Sequence, residues 1–219
     1  PQKVHVVKSA VDATPYRLEK IQKSRAEWVK SLRVSPGELV LACASARAPK
    51  KGHDQLITAC AELKKNNFKF RCFFAGRGPL EDQLKMQVAS LGLEKEIEFL
   101  GFVEDVPGFL GAVDILFMPS RSEGLGTILL EAGLAGCALI GSNVGGIPEV
   151  ILHQKTGLLF EYGNSENLMK QTLWLATNEQ LRKNLSRSLK AHIEKEFSLE
   201  PMVEGNMKVY TACLRTQVY

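Results

Sequence analysis

Short apolar runs of strand character alternate along this chain with longer segments of helical periodicity. The runs are Leu39 to Ala44, Phe70 to Ala75, Ile97 to Leu100, Asp114 to Met118, Ala138 to Ile140 and Leu158 to Phe160. Each is apolar on both faces, so a strand built from it must be covered on both sides. Helices lying between such strands make βαβ units and hence a parallel sheet. The expected fold is α/β, with a doubly wound parallel sheet. After Phe160 the pattern changes, because Asn164 to Ala176, Glu179 to Phe197 and Pro201 to Tyr219 carry helical periodicity with no strand between them. The chain should end in helices, the first of them capped by Ser165 with Asn167.

At 219 residues, 45% hydrophobic and 24% charged, the chain can bury a sizeable core and is neither disordered nor stapled by disulfides. No stretch rich in Pro, Gly or Ser divides it into two domains. A net charge of +4 is too mild to mark a nucleic-acid protein but suits one anionic ligand. The five cysteines include no C-x-x-C pair and read as buried thiols in a reducing compartment, which implies a cytoplasmic protein. The longest apolar stretch, Ile128 to Gly141, is broken by Glu131 and by glycines, and nothing in the sequence is expected to span a membrane. Near the start, Leu18, Ile21, Trp28 and Leu32 form a helical stripe, read as a surface helix packed on the sheet. A membrane-surface helix is the alternative, but Glu19 and Glu27 dilute its basic face. The chain opens on Pro1 and a strand-like Val4-His5-Val6-Val7, as a piece of something longer would.

The most informative stretch runs from Met118 to Ala132, MPSRSEGLGTILLEA. A strand ends, a glycine-bearing loop follows, and a helix begins near Gly126. Ligands of open α/β sheets bind beyond the carboxyl ends of the strands, where this loop sits. Glycines admit an anion to backbone N–H groups, and a helix start adds positive potential. Thr127 and Glu131 share one helical face, which turns Glu131 back towards the loop that carries Glu123. Two carboxylates should flank one cavity.

Glu123, seven intervening residues and Glu131 resemble the E-x7-E signature of the group 1 family of retaining glycosyltransferases. Gly145-Gly146-Ile147-Pro148-Glu149-Val150 resembles that family's GGIPE turn, and Thr156 to Phe160 its TGLL strand. Ala75 to Leu80 and Phe99 to Val103 resemble its GxGP and FLGxV elements. The matches stand in the family's order between about Leu39 and Phe197.

This resemblance implies the C-terminal half of a GT-B fold, a Rossmann-like donor-binding domain over 1–197 followed by a helical tail over 198–219. In the family such a tail crosses to an N-terminal acceptor domain, which this chain lacks. The donor would be a nucleotide-diphosphate sugar, and no metal or other cofactor is expected. Glu123 would contact the sugar hydroxyls and Glu131 the ribose. Backbone amides of Gly124, Leu125, Gly126 and Thr127 would hold the diphosphate, with Gly76, Phe102 and Val103 completing the donor site. The family's G-R-x4-K-G element is matched by Lys51-Gly52, with Arg47 one residue closer to the lysine than usual. The resemblance gives Lys51 and Arg47 the diphosphate, with Lys50 as substitute for Arg47.

A charge count agrees, since two phosphate charges and a leaving group need more than one helix end. No Asp-x-Asp pair is present to hold a metal. Glu94, Glu96 and Glu98 read as a solvated edge, and His5, His53, His153 and His192 are scattered with no nucleophile beside them. The implied reaction is sugar transfer with retention, to a glycan, lipid or other acceptor held by the missing half. The full-length enzyme would work in the cytoplasm, peripherally at the inner face of a membrane. Two alternatives remain: a nucleotide-sugar-binding module without catalysis, and a nucleotide-sugar epimerase of the same architecture.

Overall fold

The chain, described over residues 4–216 by a computed structural model, forms a strand in each of the six expected runs, with Asp114 left just outside its strand. The strands are β1 (Leu39–Ala44), β2 (Phe70–Ala75), β3 (Ile97–Gly101), β4 (Ile115–Met118), β5 (Ala138–Ser142) and β6 (Leu158–Phe160). All pairings are parallel, in the order β3-β2-β1-β4-β5-β6. The helices are α1 (Leu18–Ser31), α2 (His53–Lys65), α3 (Glu81–Ser90), α4 (Val106–Gly111), α5 (Thr127–Ala135), α6 (Ile147–Val150), α7 (Ser165–Thr177), α8 (Glu179–Glu196) and α9 (Leu199–Thr216).

Strand side chains alternate between two cores. Val40, Ala42, Phe73, Leu116 and Leu139 pack with Ile21, Leu110, Leu130 and Leu189 from α1, α4, α5 and α8. Leu41, Cys43, Phe74, Phe117 and Ile140 pack with Leu56, Leu84 and Leu168 from α2, α3 and α7. A period of two sends successive residues to opposite faces, so a strand apolar throughout serves both cores at once. At the edge strand β3, Glu96 pairs with Lys64 at 3.0 Å and Glu98 with Arg71 at 2.6 Å.

Several local expectations are corrected. Val4 to Val7 form no strand, and Val4 and Val6 are exposed. The α1 stripe is narrower than expected: Leu18 lies in solvent while Ile21 and Leu32 are buried. That helix joins the core on this face of the sheet and also packs on α4, with Trp28 edge-on to Phe109 and its Nε1 donating to Asp105 at 2.8 Å. The cap of α7 is Asn164, whose side chain accepts from the Asn167 amide at 2.9 Å. Ser165 is already the first helical residue. Helix α9 starts at Leu199, ahead of Pro201, since a first-turn proline lacks only an N–H that has no intrahelical acceptor. Residues 217–219 of the expected last helix lie outside the described residues. Cys43, Cys60, Cys72 and Cys137 are buried, whereas Cys213 is exposed.

Candidate functional site

Strands β1 and β4 are neighbours, yet the chain leaves β1 towards β2 on one side and β4 towards β5 on the other. Their outgoing loops therefore diverge and open a crevice, the place where such sheets bind ligands. The β1 loop carries a 3-10 turn, Pro49–Lys51, and the β4 loop runs from Pro119 to Gly126. The two are stitched together where the Arg121 amide donates to the Lys50 carbonyl at 2.7 Å. Gly52 makes that approach possible: its φ is +65°, and a Cβ there would lie 1.9 Å from the Pro119 carbonyl oxygen.

Two helix N-termini face the crevice. Gly52 caps α2 and Gly126 caps α5, neither with a side-chain hydrogen bond; the Gln55 and Leu129 amides turn back to the cap carbonyls, which leaves the two amides before each of them for solvent or an anion. Between them Lys51 Nζ forms a short ion pair with Glu123 Oε2, to which Ser120 Oγ also donates at 3.3 Å. Both charged side chains are mostly buried, at 16% and 14% exposure, so water screens the pair little. The Gly145–Gly146 turn backs this loop, with the Gly146 amide donating to the Gly124 carbonyl at 2.7 Å.

The remaining expected residues lie along the same edge of the sheet. Gly124 and Thr127 are exposed at the mouth, and Leu125 and Gly126 are half-buried. Glu131 is partly buried on α5, and its Oε1 accepts from the Tyr16 hydroxyl at 2.9 Å. Gly76 follows β2, while Phe102, 68% exposed, and half-buried Val103 follow β3.

Arg47 sits elsewhere than expected. Its side chain is wholly buried, donates to the Gly76 carbonyl, pairs with Glu81 at 3.4 Å and stacks over Phe99. These partners lie on the β2–β3 side, where Arg47 Nε and Nη2 are buried without a hydrogen-bond partner, and the guanidinium is not paired with the Lys51–Glu123 group. Lys50 is exposed on the neighbouring turn.

Sequence reasoning missed three polar residues. Ser120 lay within the quoted loop, but Tyr16 and Ser45 carry no local signal, because only the fold brings them to the site. Ser45 Oγ is 3.3 Å from Nε2 of buried His53, whose Nδ1 has no hydrogen-bond partner. Burial first, then the charges of Arg47 and Lys51, bring His53 down from 6.5 to about 4. Between those values the unfolded chain takes up a proton that the folded chain refuses, so stability falls as pH drops from 6.5 towards 4. In urea titrations at pH 4.5 and 7.0, His53→Gln should reduce that fall by on the order of 2 kcal/mol. An unchanged pH dependence in the variant would refute the assignment.

A sequence model of the family described as "Glycosyl transferases group 1" matches residues 24–192. The chain belongs to the group 1 glycosyl transferases. Among members and relatives, N-acetyl-alpha-D-glucosaminyl L-malate synthase of Bacillus anthracis is 30% identical over 186 residues, 85% of this chain and 49% of its own. This group 1 chain thus spans about half the length of curated relatives it matches. Anabaena HepE, solved in complex with UDP, superposes with a TM-score of 0.83 over 96% of this chain and 57% of its own, at 24% identity. The C-terminal domain of a group 1 protein from Francisella tularensis superposes at 0.75 over 87% of this chain and 100% of its own, also at 24% identity. The α/β, Rossmann-like fold of the group 1 chain is that of these glycosyltransferases.

Proposed function

We propose that this chain is the donor-binding domain of a glycosyltransferase that moves a sugar, with retention, from a nucleotide diphosphate to an acceptor. The observation that carries the reading is the Lys51–Glu123 pair, held at the sheet's switch point between two glycine-capped helix starts. A diphosphate entering the crevice replaces Glu123 as the partner of Lys51 and takes first-turn amides of α2 and α5. Glu123 is thereby released to accept hydroxyls of the donor sugar, an exchange of one charge-assisted contact for another. Charge that develops on the leaving diphosphate is met by groups already in place, so no metal is needed in this reading. In this reading Gly76, Phe102 and Val103 complete the donor site and Glu131 takes the ribose. The residue 198–219 segment is the part that crosses to an acceptor domain, with its exposed Val203, Met207, Tyr210 and Leu214. Buried thiols favour a cytoplasmic setting.

Calorimetric titration with uridine, guanosine and adenosine diphosphates tests donor binding, and absence of binding by all of them would overturn the reading. The chain offers one wall of a cleft, whereas transfer requires an acceptor held near the anomeric carbon and water kept out. The chain alone should therefore bind donor yet turn over far below the roughly 1 per second of ordinary enzymes. Turnover at that rate by the chain alone would refute the division of labour. One observation favours a second reading, a binding module that no longer catalyses: Arg47 is withdrawn from the crevice. Activity of the complete polypeptide separates the two.

Glu131→Ala should weaken ribose-containing ligands about tenfold through its lost hydroxyl contacts. Ribose and 2',3'-dideoxy ligands should then bind the variant alike. If the unaltered chain itself fails to discriminate between them, the ribose role of Glu131 is wrong.

A further inference from the structure

Tyr16 lies 115 residues from Glu131 in sequence and donates its hydroxyl to Glu131 Oε1 at 2.9 Å. The ring is 4% exposed and belongs to the core cluster that includes Leu130 and Leu134 of α5. Its backbone is the last residue of a 3-10 turn, Thr14–Tyr16, with Pro15 inside it. The segment before that turn is tied down as well. The Thr14 amide donates to Asp12 Oδ1 at 2.8 Å, the Val11 amide donates to the Phe197 carbonyl at 3.0 Å, and Lys8 pairs with Glu196 at 3.0 Å. A hydroxyl held from both its ring and its backbone is a rigid donor.

We propose that Tyr16 is a positioning residue for Glu131, holding the carboxylate so that its remaining acceptor positions face the ribose hydroxyls of the donor. The proposal rests on the reading of Glu131 as the ribose-binding carboxylate. A carboxylate offers about four lone-pair directions, and one bond to Tyr16 leaves enough for two vicinal hydroxyls. Burial and the adjoining Glu131 charge push the Tyr16 hydroxyl well above its ordinary titration range, so it remains a neutral donor wherever the protein is folded. A side chain fixed before the ligand arrives loses little conformational freedom on binding, which is the gain that preorganisation brings. The same bond connects the donor site to the chain segment anchored at Phe197, where α8 passes into α9. Glu131 is thus aligned by residues that touch neither base nor phosphate.

The test is a double-mutant cycle with two ligands. Tyr16→Phe keeps the ring that packs in the core and removes only the hydroxyl. The probes are the tightest-binding of uridine, guanosine and adenosine diphosphate and the 2',3'-dideoxy form of the same nucleotide, measured by calorimetry. Tyr16→Phe should weaken the ribose ligand roughly 3- to 10-fold. It should change the dideoxy ligand by less than about twofold, and add nothing further in the Glu131→Ala background. An equal loss for both ligands, or the same loss with Glu131 already removed, means that the ring and hydroxyl only support the fold, and overturns the proposal. If Glu131→Ala weakens the ribose ligand but Tyr16→Phe binds it as the unaltered chain does, positioning is overturned while the ribose role of Glu131 stands. If Glu131→Ala binds both ligands normally, the ribose role falls and takes the proposal with it.

Discussion

Lys51→Ala is expected to weaken nucleoside diphosphate binding roughly 10- to 150-fold, the range for a lost charge-assisted contact, and to leave nucleoside binding nearly unchanged. The asymmetry follows from where the lysine sits. It comes from the turn after β1 and meets Glu123 from the loop after β4, so its charge lies at the crevice and away from the rim formed by Phe102 and Val103. Truncation has a second consequence, because among the described residues Glu123 keeps Ser120, a neutral partner, and becomes a mostly buried carboxylate without a cation. An uncompensated negative charge repels the diphosphate as well as failing to attract it. Lys51→Arg retains the cation and should recover part of the loss, whereas Lys51→Met, of similar length, should not. Calorimetry that finds equal losses for nucleoside and diphosphate would show that the lysine acts on the fold rather than on phosphate.

Gly145→Ala should destabilise the protein by about 2 to 4 kcal/mol, combining a left-handed backbone cost of about 1 kcal/mol with the cost of overlap. Its φ is +53°, and a Cβ would lie 1.9 Å from the Glu123 carbonyl oxygen, an atom of backbone that cannot swing aside. The melting temperature should fall on the order of 10 °C for a chain of this size. Diphosphate binding should fall roughly tenfold or more, since relief of the overlap requires the loop bearing Glu123 and Gly124 to move. Gly163→Ala supplies the control: its φ is +83°, but a Cβ there meets nothing within 4 Å. That variant should show the backbone cost alone, with normal binding. Equal melting temperatures for Gly145→Ala and the unaltered chain would mean that the GGIPE turn does not brace the loop.

The six strands were legible because the central ones bury both faces and so carry long apolar runs, a signal that survives without tertiary information and persists even where Arg71 and Glu98 interrupt it near the edge. β1, β2 and β6 begin and end where the apolar pattern does. The strand-like Val4 to Val7 misled for the same reason, since apolar alternation marks a segment able to pair and says nothing about a partner. The Ser165 cap was displaced by one residue because Asn and Ser are both good caps, and backbone geometry chose between them. In the candidate site, the placing of Glu123 and Glu131 follows from local spacing, whereas Lys51 rests on the resemblance of Lys51-Gly52 to a family element. The placing of Arg47 follows from neither, because burial against Glu81 and Phe99 depends on strands β2 and β3 lying beside its loop.

By itself, then, the sequence determined the parallel α/β class, the strands, the helical end and the loop whose glycines, Glu123 and Glu131 make up the candidate site. Those features are written in periodicity and in residues a few positions apart, where each side chain's neighbours are its sequence neighbours. Only the tertiary structure decided that Lys51 faces Glu123, that Arg47 turns inward, and that Tyr16 reaches Glu131 across the fold. Contacts of that kind depend on strand order, which brings β1 beside β4 and the first turn beside α5. No local pattern encodes which loops a sheet will bring together, because that choice is made by the burial of all its faces at once.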